Sequence, residues 1–197
     1  MYLGMALMAV DVLSSILEIM RMGKSMREAI KRRRSGYSGS FDVPVEEESS
    51  LKAVIGGSLG SQLVSAFMTY VREGDLNPLK ASINKISGEK EVDVVVDVLG
   101  RNPEVMYLSQ FGREPHYLYK LGSTITPDDF PTVSRGLAKF LEMVNNLHPK
   151  AKKRALLVTT VAIAFQAGQL IGGTAKYHLL HLDRGKGYVE VPAVIWY

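Results

Sequence analysis

The stretch EVDVVVDVL, residues 91–99, constrains the fold of this chain more than any other. Its valines branch at Cβ, lose side-chain freedom in a helix and fit a pleated surface, so the segment predicts a strand. Side chains alternate along a strand, which puts Asp93 and Asp97 on one face. At about 13 Å apart the two carboxylates are too distant to grip one metal or to work as an acid–base pair. They predict a solvated face or edge.

Strands and helices alternate around this segment. A second strand is predicted over 105–109. Asp128 and Asp129 are acidic first-turn residues for a helix whose apolar stripe, Val133, Leu137, Phe140, Leu141, Val144 and Leu147, stops before Pro149. A buried strand follows over 155–160, then a helix over 161–171, a break at Gly172 and Gly173, and strands over 176–182 and 188–195 joined by a turn at 184–187. Residues 51–73 support two readings. Leu51, Val54, Ile55, Leu59, Leu63, Phe67 and Val71 have the spacing of one long helix, whereas Gly56, Gly57 and Gly60 favour a strand over 52–55, a turn, and a helix from Ser61. The order implies an α/β fold: a Rossmann-like, mostly parallel sheet with flanking helices and a C-terminal β-hairpin, plus an N-terminal helical arm. Residues 1–34 are expected to form the amphipathic and basic arm, 35–50 an exposed linker rich in Ser, Gly and Glu, and 51–197 the main Rossmann-like domain.

Two apolar segments raise the question of a membrane. In residues 1–20 no positive charge precedes the apolar run, and Asp11, Ser14, Ser15 and Glu18 draw one polar stripe, which predicts a helix packed against protein. Residues 21–34 carry seven positive charges and one negative, ending in Lys31, Arg32, Arg33 and Arg34. A solvated basic helix end, an anionic membrane surface and nucleic acid all fit that charge. Residues 155–175 hold no charge, yet Thr159, Thr160, Gln166, Gln169, Gly172 and Gly173 load them heavily for a span, and a strand followed by a helix explains them better. The chain has 24 Lys and Arg against 20 Asp and Glu, a net charge of +4, which favours an anionic partner. It has no cysteine, so a disulfide framework, a thiolate zinc site and a cysteine nucleophile are excluded. The expected compartment is the cytoplasm, with association to a membrane surface through the N-terminal helix as the alternative.

No catalytic motif is present, neither a nucleophile elbow nor a Walker loop nor a zinc deaminase signature, and no catalytic, metal-binding or cofactor-binding residue is assigned. His178 and His181 are three apart, so on a strand they point to opposite faces and cannot share an ion. The Gly/Ser turn 56–61 lacks the dinucleotide spacing; it is either a phosphate cradle or small-residue packing. Topology supplies the stronger candidate. Open parallel sheets take ligands at the carboxyl ends of their strands, beside helix N-termini. Ser109, Gln110 and Arg113 follow one strand, and Thr159 and Thr160 end another just before a helix. Converging there, these five side chains suit phosphodiester oxygens and base edges. Read structurally, the threonines cap the helix and Ser109 ends a strand.

The succession KEVDVVVDVLG, VMYLSQFG, SRGLAKFLEMVNNL, RALLVTTVAIAFQAGQLIGG and KYHLLHLDRGKGYVEV resembles the closing half of SAVED domains, relatives of the CARF sensor domains. Ala162, Ala164, Ala167, Gly168 and Tyr188 match its pattern of an alanine-rich helix bearing a glycine and a strand pair with a tyrosine. The resemblance implies a sensor of cyclic oligonucleotide second messengers in antiviral signalling that controls an effector protein or domain. It places Ser109, Gln110, Thr159 and Thr160 against the ligand. A full SAVED domain holds two CARF-like halves and this chain has room for little more than one, which implies a half-site completed by homo-oligomerisation. Two other classes stay open: a membrane-associated or structural interaction protein, and a metal-independent nuclease acting on cyclic oligoadenylate.

Overall fold

In the computed structural model, residues 51, 53–122, 124–173 and 176–191 are described; the arm 1–34, the linker 35–50 and the end of the strand expected over 188–195 lie outside them. The valine segment forms strand β2 (Glu91–Asp97) in the middle of a six-stranded sheet. Before it come β1 (Ala53–Gly56), helix α1 (Ser58–Glu73) and helix α2 (Asn77–Ile86). After it come α3 (Pro103–Phe111), β3 (Tyr117–Leu121), α4 (Phe130–Leu147), β4 (Lys152–Val158), α5 (Val161–Ile171), β5 (His178–Asp183) and β6 (Gly187–Glu190). The strand order is β1-β3-β2-β4-β5-β6. The four inner strands are mutually parallel, while β1 and β6 run antiparallel at the two edges, so the fold is α/β with a mixed sheet.

Several expectations are corrected. Residues 105–109 are helical, because they lie in the crossover that two parallel neighbours such as β2 and β3 require. The boundaries of α3 follow local rules: Pro103 fits the first helical turn, and Gly112 closes the last with φ of 66° and an N–H bond to the Leu108 carbonyl. The parallel partner is β3, in which Tyr117, Tyr119 and Leu121 alternate toward the core. Residues 51–73 resolve into strand, turn and helix, as the second reading had it. β4 begins three residues earlier than expected, because Arg154 finds a partner inside the sheet, the carboxylate of Asp93, and Lys153 one at its margin, the His148 carbonyl at the end of α4.

The two faces of the sheet differ. Val92, Val94, Val96 and Val98 enter the main core with Leu63 and Phe67 of α1, Ile83 and Ile86 of α2, Phe140 and Leu141 of α4, and Ile163 and Ala167 of α5. On the opposite face α3 covers a smaller cluster of Val95, Tyr107, Leu156, Leu180 and Tyr188. Asp93 and Asp97 project to this second face and are both 0% exposed, so the solvated face expected for them is instead the floor beneath α3. The uncharged stretch 155–175 divides between β4 and α5, and among the described residues no helix is long and apolar enough to cross a membrane.

Candidate functional site

β2 and β4 lie side by side, but the crossover from β2 leads to β3 on one flank and that from β4 leads to β5 on the other. Such a reversal opens a crevice at the carboxyl ends of the two strands. The Val98 N–H bonds the Val158 carbonyl at 2.9 Å and carries the pairing one step beyond β2. The chain then turns through 99–102, held from below by Asp97. Its Oδ1 accepts the Arg101 N–H and its Oδ2 the Asn102 N–H, both at 2.9 Å. These two bonds hold Asn102 at φ of 52°, a left-handed conformation that asparagine tolerates. Lys120 of β3 completes the corner: its ammonium bonds the Asn102 side-chain oxygen, lies 2.7 Å from Glu104 and 3.8 Å from Asp97.

On the β4 side, Thr160 is the N-cap of α5, and its hydroxyl accepts the Ile163 N–H at 3.3 Å. The amides of Val161 and Ala162 have no intrahelical acceptor, and they sit at the positive end of the helix dipole. Thr159 stands between the strand and this helix end with its hydroxyl oxygen buried and, among the described residues, without a hydrogen-bond partner. Next to the crevice an open groove of about 410 Å³ runs between Val98, Leu99 and Gly100 on one wall and Leu121, Gly122 and Ile125 on the other.

The remaining candidates lie elsewhere, so the rim of five expected from the sequence is not assembled. Ser109 is exposed on α3. Gln110, one residue on, spends its amide on β6: its Nε2 donates to the Tyr188 carbonyl at 2.9 Å and its Oε1 accepts the Tyr188 N–H at 2.6 Å. Arg113 donates to Oδ2 of Asp93 at 2.7 Å. Only Thr159 and Thr160 share the carboxyl edge.

Asp93 is the centre of the second polar cluster. Its Oδ1 accepts from Arg154 Nε at 2.6 Å, and its Oδ2 accepts from Tyr107 at 2.5 Å, Arg113 at 2.7 Å and Arg154 Nη2 at 2.9 Å. Burial pushes the Asp93 carboxyl upward, but the Arg154 and Tyr107 hydrogen bonds and the charges of Arg154 and Arg113 outweigh it and hold the group below 3.8. Burial and the same carboxylate drive the Tyr107 hydroxyl far upward. The Asp93 N–H donates to Nδ1 of His116 at 3.0 Å, which fixes the His116 proton on Nε2. Burial, then the Arg113 charge, holds His116 below its ordinary value. With four hydrogen bonds to its two oxygens, Asp93 braces β2 against α3 and β4. The sequence signal was there: two carboxylates, Asp93 and Asp97, set among the valines of the strand.

The Gly/Ser turn is no phosphate cradle. Its amides are consumed internally, Ser58 N–H by the Pro115 carbonyl and Leu59 and Gly60 N–H by the His116 carbonyl, at 2.9 to 3.0 Å. His178 Nδ1 pairs with Glu190 at 2.7 Å, and among the described residues no group of three or more His, Asp or Glu side chains is placed to hold a metal ion. No protein-family model, curated protein or solved structure matches this chain.

Proposed function

We propose that the chain is a sensor module that takes a cyclic oligonucleotide at the carboxyl edge of its sheet and controls an associated effector. The observation that carries this reading is the buried hydroxyl of Thr159, which among the described residues lacks a partner, beside the amides at the start of α5 that have no intrahelical acceptor. A buried donor and acceptor left unpaired costs about 1–3 kcal/mol, which a ligand oxygen recovers on binding. Phosphate oxygens meet this hydroxyl, the Val161 and Ala162 amides and the positive end of the helix dipole. The groove between Val98 and Ile125 offers an apolar bed for a base, with the backbone of Gly100 and Gly122 at its rim. Relative to the expectation from sequence, the contact set contracts to Thr159 and Thr160 together with the loop 98–102, and Ser109, Gln110 and Arg113 leave it. A ligand with repeated phosphates would bridge two copies of this edge, which makes the site a half of a homo-oligomeric one.

The test is thermal melting of the purified protein, without detergent, against cyclic di-, tri-, tetra- and hexanucleotides with linear nucleotides as controls. A ligand at a hundred times its Kd stabilises the folded state by about 2.7 kcal/mol, well within reach of melting. A selective upward shift supports the reading, and product analysis of the same mixtures separates a sensor from a nuclease. No shift with any cyclic nucleotide overturns it.

A further inference from the structure

Helix α5 packs one side into the core through Ile163, Ala167 and Ile171 and turns the other to solvent. That outer side bears no charge. Val161 is 86% and Phe165 64% exposed, and Gly168 follows with open space above its Cα. Helices that face water carry polar or charged residues there, and a large uncovered aromatic on such a stripe marks a surface that something occupies.

We propose that the occupant is the N-terminal segment of the same chain, residues 1–20, docked along the outer side of α5. The two stripes match in spacing. Val161, Phe165 and Gly168 are four and three apart; on the side opposite Asp11, Ser14, Ser15 and Glu18, the segment presents Ala9, Leu13, Ile16 and Met20, four, three and four apart. Side chains in this rhythm interlock when two helices lie side by side, and a glycine in the stripe lets the backbones approach closely. Neither stripe contains a charge, so contact strands no ion, while the polar stripe of the segment stays in water. The connection is long enough. Residues 35–50 reach up to about 50 Å when extended, whereas the six strands of the sheet span about 24 Å. The N-terminal segment joins the described chain at the β1 edge, where Leu51 is buried in the core, and the linker carries it from there to α5 with length to spare.

The chain has no cysteine, so introduced pairs report cleanly. In the full-length protein, Phe165→Cys is combined in turn with Ala9→Cys, Leu13→Cys, Ile16→Cys and Met20→Cys, and with Ser14→Cys and Ser15→Cys as controls on the polar stripe. Phe165 is exposed, so its replacement spares the core, and circular dichroism checks each variant. Mild oxidation is expected to close a disulfide within one chain for at least one of the four apolar positions, with a yield independent of protein concentration and little closure for the two serines. Disulfide-linked dimers whose yield grows with concentration would assign the face to a second copy and overturn the proposal. So would failure to close in all four, with the Phe165→Cys thiol alkylated as fast as in the unfolded chain. Neither outcome depends on nucleotide binding.

Discussion

Arg154 grips Asp93 across the sheet with two parallel hydrogen bonds, from Nε at 2.6 Å and Nη2 at 2.9 Å, and the register sets the two residues opposite each other in neighbouring parallel strands. Removing one member of a buried pair leaves the other charge uncompensated, which costs about 3–5 kcal/mol. We therefore expect Asp93→Asn to lower the urea midpoint steeply. Arg113→Ala removes the half-exposed partner and is expected to cost about 1 kcal/mol, with nucleotide-induced melting shifts unchanged. A loss of ligand response in that variant would return Arg113 to the site.

His148 gives the pH dependence a definite sign. Burial, then the charges of His116 and Lys153, holds it at about 4 in the folded chain, against 6.5 when exposed. Between those values the unfolded chain binds a proton that the folded one refuses. Its contribution to stability is full above pH 6.5 and is lost as the pH falls toward 4. Unfolding free energies measured across this window are expected to slope downward into acid. In His148→Leu the slope should shrink by up to about 1.4 kcal/mol per pH unit.

Gly57 sits at φ of 87°, and a Cβ there would meet the Pro115 carbonyl oxygen at 2.7 Å and that of His116 at 2.8 Å. Those carbonyls accept the first amides of α1 and cannot yield without breaking that contact. Gly74 has a similar φ of 76° with nothing near its Cβ position. Gly74→Ala is expected to cost about 1 kcal/mol for the backbone conformation alone, and Gly57→Ala distinctly more. Equal costs by chemical denaturation would show that the carbonyls move freely.

Thr159→Val separates stability from binding. Replacing an unpartnered buried hydroxyl with a methyl group is expected to leave stability unchanged or raise it by about 1 kcal/mol, because nothing that the hydroxyl bonds is lost. The melting shift from the cyclic nucleotide should meanwhile disappear. A variant that keeps the full shift would remove Thr159 from the site.

The elements written in strong local patterns were legible in the sequence. The valines of β2 fixed it as a strand, and the stripe of α4 together with the stop at Pro149 fixed that helix, which ends at Leu147. Helix α5 is found over the expected residues, Val161–Ile171. What failed was set by topology. Residues 105–109 have strand-forming side chains, and their helical state follows from the need to cross from β2 to a parallel neighbour. The helix carries Ser109 to its exposed side and Gln110 to β6, and Arg113 goes to the buried Asp93, so the three do not meet Thr159 and Thr160. Burial of Asp93 and Asp97 depends on α3 folding over them, a long-range fact that no spacing within the strand contains.

The pairing of β2 also sets an order of events during synthesis. Its partner β3 begins only at Tyr117, and β4 aligns Lys152 with Glu91, so the strand emerges well before either neighbour exists. A valine run waiting for its partners is the kind of segment that recruits other chains into cross-β stacks. Glu91, Asp93 and Asp97 punctuate the run with negative charge. While the strand is bare they act as gatekeepers that keep copies apart. Once β4 arrives, Arg154 closes on Asp93 and that charge is folded away inside the protein, while Glu91 stays at the surface.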